Sequence, residues 1–350
     1  MVSAMKNEIE TKEHQASLGT GTMRALVYET YGQPDVLRIE EVEIPKPKEH
    51  EVLIAVHAAS VNSWDWDLLR GKPFVNRIGG LRKPRYRILG ADIAGRVIAV
   101  GAAAKRFRPG DEVFGDISGC GWGGFAEYVC ADEKALTLKP EGASFEQAAA
   151  IPQAAVLALQ GLRDKGKLSK GCHVLINGAG GGVGTFGIQY AKLHGAVVTG
   201  VDRAEKLETL LSVGADHVVD YMNEDFTAGD KRYDLILDVV GNRSVFSIQR
   251  ALQQGGTYVM VGGPFPRIFQ TLLTAPWTAK LQKKNLGLLI HKPNHEDQLI
   301  WRSLVETGQV KPVIDRVYSL GDAAKAFEYF GQGRAIGKVV VRIDRGVPEK

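Results

Sequence analysis

The chain has 350 residues, 44% hydrophobic and 24% charged, with a formal net charge of +4. That length allows two domains with separate cores. The small charge argues against a nucleic-acid partner, and the basic stretch Arg82–Arg87 reads as a solvated loop. Three cysteines, Cys120, Cys130 and Cys172, include no CxxC pair, which disfavours a disulfide framework or a zinc knuckle and suits a reducing, cytoplasmic setting. No apolar run reaches the ~18–20 residues that span a bilayer.

Residues 1–22 are polar with mixed charges and lack the apolar centre of a signal peptide, so they read as a disordered extension. From Met23 to about residue 150 the style is β-rich, with short apolar runs such as MRALVYET, HEVLIAVHAASV, GDEVFGD and GFAEYVCAD broken by Gly and Pro. The texture changes at Ser144. SFEQAAAIPQAAVLALQGL predicts a helix with Ser144 as N-cap. Six short apolar strands then alternate with helical stretches: His173–Asn177, Val197–Val201, His217–Asp220, Leu235–Val240, Thr257–Val261 and Leu286–Ile290. That alternation predicts a parallel, doubly wound α/β sheet over 151–291. After Pro293 come a helix at Glu296–Thr307, a strand at Val313–Tyr318, a helix at Asp322–Phe330 and a strand at Lys338–Ile343. The organisation expected is a β-rich domain from 23–150 and 292–350, with the α/β domain inserted.

The stretch INGAGGGVGTFGIQYAK follows the first of the six strands and opens a helix. In that context its glycines read as a phosphate cradle. Ala179, Gly181 and Gly184 fit an [A/G]xGxxG pattern. Gly181 would let the backbone approach a pyrophosphate, Gly184 would let helix and strand pack closely, and the helix N-terminus, with Gly182 and Val183, would face the phosphates. Asp202 closes the second strand about 20 residues on, where an acid binds an adenosine ribose. Arg203, Lys206 and Tyr221 lie in the same region and suit a 2′-phosphate, so NADH and NADPH both stay open.

With these residues in place the chain resembles the zinc-independent quinone oxidoreductase branch of the medium-chain dehydrogenase/reductases, close to the mitochondrial reticulon-interacting oxidoreductases. The matching stretches are VNSWDWDLLRG, LGADIAGRVIAVG, GDEVFG, GFAEYV, AGGGVGTFGIQYAK, VGADHVVDY and VKPVIDRVYSL. The resemblance implies a GroES-like catalytic domain, a Rossmann domain, a cleft between them and NAD(P)H redox chemistry. Alcohol dehydrogenases of this superfamily hold a catalytic zinc. The matching places here carry Asn62, Ala91 and the IPQAA stretch around Gln153, with Asp92 in the place of the family's acid, so no metal is expected.

The same resemblance puts Asn62 at the cleft floor as a donor to a carbonyl or as a helix-capping turn residue, and Asp65 and Arg70 in support of its loop. Lys292 becomes a candidate donor, Asn294 a cofactor contact, and Gly241, Val261 and Gly262 the border of the nicotinamide. Leu157 stands where the family carries a threonine, and Ser63 replaces a proline. The activity implied is a metal-free reductase of quinones or α,β-unsaturated carbonyls. The alternatives are a zinc-free alcohol dehydrogenase and a nucleotide-binding redox sensor with little turnover. A homodimer through LGLLI and a monomer are both compatible with the sequence.

Overall fold

The computed structural model describes residues 21–344. Of the expected extension over 1–22, all but the last two residues lie outside this range, and Thr22 already opens the first strand. Two compact units are present. One comprises the chain up to Gln153, Pro293–Glu306 and the chain from Ile314; the other comprises Ala154–Lys292 and Thr307–Val313.

The first unit begins with an antiparallel pair, β1 (Thr22–Val27) and β2 (Arg38–Glu43). Then follow β3 (Glu51–Val61), β4 (Asp92–Val100), β5 (Glu112–Asp116), β6 (Tyr128–Asp132) and β7 (Leu136–Leu138). The long run of β3 is apolar on both faces, and the structure explains why. Val52, Ile54 and Val56 enter one core cluster while Leu53 and Ala55 enter another, as the two-residue strand period requires.

Ser144 caps its helix reciprocally: its Oγ accepts from the Gln147 N–H at 3.2 Å, and Gln147 Oε1 accepts from the Ser144 N–H at 2.9 Å. The single helix expected here is broken. Phe145–Ala149 ends before Pro152, a new helix runs Pro152–Leu159, and a π turn follows at Gln160–Lys165. Proline has no N–H to continue the ladder and its ring clashes with the preceding turn.

The second unit is the doubly wound sheet. Its strands are β8 (His173–Asn177), β9 (Val197–Asp202), β10 (His217–Asp220), β11 (Tyr233–Asp238), β12 (Leu252–Met260) and β13 (Asn285–Leu288). All pair in parallel, in the order β10-β9-β8-β11-β12-β13. The first strand of the series therefore lies centrally, and the direction of winding reverses beside it. Ligands in such sheets bind at that switch, outside the carboxyl ends of the strands.

The chain then returns to the first unit with a helix at His295–Glu306, β14 (Ile314–Ser319), a helix at Ala323–Gly331 and β15 (Lys338–Arg342). The seven-stranded sheet has the order β14-β15-β3-β4-β5-β7, with β6 also paired to β3.

Gly95 in β4 is fixed by contact with its neighbour, since a Cβ there would lie 2.2 Å from the Ala55 carbonyl oxygen. Gly95→Ala is expected to lower unfolding free energy by about 1–3 kcal/mol in urea melts. Gly119→Ala, which meets nothing within 4 Å, is expected to stay within about 0.5 kcal/mol of the parent.

Candidate active site

In the α/β unit the glycine turn leaves β8 at Gly178, whose φ of +80° favours glycine. The N–H groups of Gly178 and Ala179 donate to the Val201 carbonyl at 3.0 and 3.1 Å, which seats the turn on β9. A helix then runs Gly182–Leu193 with Gly181 at its N-cap. Its first-turn N–H groups, at Gly182, Val183 and Gly184, point outward by helix geometry.

The two motif glycines have different reasons. A Cβ at Gly184 would lie 2.4 Å from the Ala179 Cα, so this glycine permits helix and turn to pack. A Cβ at Gly181 meets nothing closer than the Gly178 carbonyl oxygen at 3.6 Å, so the protein itself leaves that space open. Gly180 is also tight: its Cβ would lie 2.5 Å from Lys206 Cδ.

Asp202 Oδ2 accepts the Gly180 N–H at 2.8 Å, its Oδ1 accepts the Arg203 N–H at 2.9 Å, and Lys206 Nζ lies 3.6 Å away. Asp202 and Lys206 are both buried. The carboxylate therefore braces the glycine turn and is neutralised by a cation. Arg203 Nε donates to the Tyr221 hydroxyl at 2.9 Å, which brings the remaining expected residues to the same strand ends.

Across the switch, Asp238 at the end of β11 was not singled out from sequence. Its Oδ1 accepts from Gly241 N–H at 2.7 Å, Val240 N–H at 3.1 Å and Asn177 Nδ2 at 2.8 Å, and its Oδ2 accepts from the Tyr258 hydroxyl at 2.9 Å. Burial pushes its carboxyl upward, and these donors act against that shift. One side chain thus fixes the ends of β8, β11 and β12. Gly241 has φ +63°, and Val261 N–H donates to the Asp238 carbonyl at 2.8 Å. A Cβ at Gly241 would lie 2.5 Å from the Gly262 carbonyl oxygen, so these two loops pack directly.

Lys292 is exposed, with its backbone N–H and carbonyl bonded to the Gln160 side chain at 3.2 and 2.8 Å. Asn294, expected at the cofactor, caps the helix His295–Glu306 instead. Its Oδ1 accepts the Asp297 N–H at 2.8 Å and its Nδ2 donates to Asp297 Oδ2 at 2.7 Å.

In the β-rich unit a buried polar network surrounds Asn62, at the end of β3. The Asn62 Nδ2 donates to Asp92 Oδ2 at 3.0 Å and to the Ser60 carbonyl at 3.4 Å, while its Oδ1 accepts from Lys338 Nζ. Asp92 Oδ2 also lies 3.4 Å from Lys338 Nζ and accepts from Ser60 Oγ at 3.2 Å; its Oδ1 accepts the Gln153 N–H at 3.1 Å. Asp65 accepts N–H groups of Asn62 and Gly90, each at 2.9 Å, and burial pushes its carboxyl up to about 7.

Asn62 therefore holds its loop in place. Of the two roles expected for it, the structure shows the helix-capping one, at the N-cap of Ser63–Arg70, and its amide is bonded inside the protein. Lys338, in the middle of this network, was missed from sequence. Burial lowers its ammonium and raises the Asp92 carboxyl, and each acts against the other's shift.

These residues do not fit a zinc ion. Ala91 offers no ligand atom, the Asn62 oxygen is taken by an ammonium, and Asp92 is paired to that same cation. Among the described residues no group of three His, Cys, Asp or Glu side chains is placed to hold a metal. Gln153 carries a different signal: it is buried, and its Nε2 has no hydrogen-bond partner. A buried amide N–H in this position can donate to a water or to a ligand oxygen.

Two predictions follow from these contacts. Gly181→Ala should melt within about 0.5 kcal/mol of the parent but lose nucleotide affinity in titration, whereas Gly184→Ala should lose about 1–3 kcal/mol of stability. Lys338→Met strands a buried carboxylate and should cost about 3–5 kcal/mol, with roughly 0.5–3 kcal/mol of coupling to Asp92→Asn in a double-mutant cycle. In Lys338→Met the folded pKa of Asp92 rises further above its ordinary 3.8. The variant's stability should therefore fall as pH rises from the ordinary carboxylate value of 3.8 toward the raised folded one, where the folded state holds a proton that the unfolded chain has released.

Two family descriptions match the chain: "alcohol dehydrogenase GroES-like domain" over residues 48–141 and "zinc-binding dehydrogenase" over residues 213–341. The chain is 35% identical to a tomato (Solanum lycopersicum) 2-methylene-furan-3-one reductase, over 91% of this chain and 79% of that protein. It is 34% identical to a chloroplastic NADPH-dependent alkenal/one oxidoreductase of Arabidopsis thaliana, with the same coverage. The solved quinone oxidoreductase of Coxiella burnetii superposes with a TM-score of 0.80 at 30% identity, covering 92% of this chain and all of that one. With a glycine cradle at the switch of a 3-2-1-4-5-6 sheet and a β-rich companion unit, the chain belongs to the medium-chain dehydrogenase/reductase family, as an oxidoreductase using a nicotinamide cofactor.

Proposed function

We propose that this protein is a metal-free, NADPH-dependent reductase of quinones and α,β-unsaturated carbonyls. The observation that carries the reading is the Asn62–Asp92–Lys338 network, which places an ammonium and a spent carboxamide where a zinc-dependent relative would need open ligands.

Oxidising an alcohol requires loss of its hydroxyl proton, a step a Lewis acid assists. Reducing an electron-poor alkene or quinone does not start with that step. The nicotinamide, when bound, supplies hydride to the electron-poor carbon. The chain's own residues position, hold and shield. The turn at Gly180–Gly184 and the helix N-terminus behind it would take the pyrophosphate. Arg203, Lys206 and Tyr221 would take a ribose 2′-phosphate, because Lys206 already neutralises Asp202 and removes the repulsion that would favour NADH. Gly241, Val261 and Gly262, locked by Asp238, would border the nicotinamide.

When hydride reaches the β-carbon of an enone, charge collects on the carbonyl oxygen, and solvent then supplies the proton. The open Nε2 of Gln153 is the donor we assign to that oxygen. Lys292 remains a second candidate, exposed and next to a fixed backbone.

The test follows reduced-nicotinamide absorbance with NADPH and NADH, each against an enone, an ortho-quinone and a para-quinone, with and without a chelator. Acceptor-dependent oxidation that survives chelation and prefers NADPH is expected. Arg203→Ala, which leaves the Lys206–Asp202 pair in place, should raise the KM for NADPH about tenfold or more and leave that for NADH nearly unchanged. Gln153→Leu should lower kcat about tenfold or more with nucleotide affinity intact. Activity lost to the chelator, or no oxidation with any acceptor, would overturn the reading.

A further inference from the structure

The helix Phe265–Gln282, which follows β12, is turned inside out. Its inward face is polar. Thr271 and Thr278 are buried, and their hydroxyls donate back to the carbonyls of Arg267 at 2.9 Å and Thr274 at 2.7 Å; Gln249 Nε2 reaches Thr278 Oγ1 at 3.1 Å. Its outward face is apolar. Phe265, Phe269, Leu272, Leu273 and Trp277 recur at helical spacing and are all exposed, Trp277 at 72%. A surface helix of a soluble protein normally shows the reverse pattern. A stripe of two phenylalanines, two leucines and a tryptophan is a surface built to be covered.

Charge identifies the cover. From Val239 to His295 the chain contains no aspartate or glutamate. Arg267, Lys280, Lys283 and Lys284 lie on or just past the helix, and Lys280 and Lys283 are exposed beside the end of the stripe. A two-fold pairing of this face with a second copy is self-complementary in shape only. It would bury aromatic surface but bring no acid from this segment to the lysines, since residues 239–295 supply none. An anionic lipid surface answers both features at once: acyl chains take the aromatic stripe, and headgroups take the lysines. No helix of the described residues is long and apolar enough to cross a membrane.

We propose that the helix Phe265–Gln282 lies in the surface of an anionic bilayer and docks the protein there peripherally, independently of which acceptor it reduces. Cosedimentation of the full chain with extruded vesicles tests this. Phosphatidylcholine vesicles containing phosphatidylglycerol should bind it about tenfold or more tightly than phosphatidylcholine alone, and added salt should weaken the binding. Phe269→Gln/Leu273→Gln and Lys280→Gln/Lys283→Gln should each weaken it about tenfold or more. Both variants change exposed side chains, so thermal melting and nucleotide titration should match the parent. Failure to bind either vesicle overturns the proposal, as does binding that either variant leaves unchanged. Sedimentation velocity provides the remaining test: a dimer that Phe269→Gln/Leu273→Gln dissociates would make a second copy the cover instead.

Discussion

A lysine ammonium buried inside a β-sheet must be met by a carboxylate, and in this protein that requirement organises the β-rich unit. Lys338 on β15 reaches Asp92 on β4 and the amide of Asn62 at the end of β3. Those three elements are thereby held in one register. The other oxygen of Asp92 takes the N–H of Gln153, one of the donors the new helix leaves without an intrahelical partner after Pro152. Asp65 repeats the device by accepting the N–H groups of Asn62 and Gly90. A buried ion pair contributes little net stability compared with an apolar replacement, but leaving one partner unmatched is costly. The consequence here is geometric: Asn62 cannot move without losing its hydrogen bonds to both partners.

The α/β unit uses the same physics with different partners. Asp202 braces the glycine turn through the Gly180 N–H, and Asp238 braces the two loops on the other side of the switch. In each case a carboxylate at a strand end takes backbone N–H groups that the sheet leaves unpaired. The turn is therefore shaped before any ligand arrives, and less ordering remains to be done on binding.

What sequence could reveal depended on the range of the interaction. The six strands were legible because apolar runs and glycine breaks are local, and three residues of context identified Gly184 as a packing glycine. The Lys338–Asp92 pair joins positions 246 apart, and a lysine in GKVVV reads as an ordinary strand residue until its partner is placed. Asp238 fell inside the expected strand Leu235–Val240 and read as an ordinary strand residue, though the strand ends there. Asn294 is a different case. Its local N-x-x-D signal for a helix cap was present, and a family likeness outweighed it. In the helix Phe265–Gln282 threonines and large apolar residues both fall at helical spacing. Helical spacing alone does not say which stripe faces inward.

The chemistry depends on what these networks leave over. In the β-rich network every carboxylate and the ammonium have partners inside the protein, so none is poised to exchange a proton with an acceptor. A reaction that begins by removing a proton would need one of them released, at the cost of an unmatched buried charge. A reaction that begins with hydride addition needs only a donor for the oxygen that gains charge and water to complete it. The Gln153 amide proposed for that part is carried on a backbone whose own N–H is fixed to Asp92. The pair that occupies the Asn62 carboxamide thus also fixes the backbone that carries the Gln153 side chain.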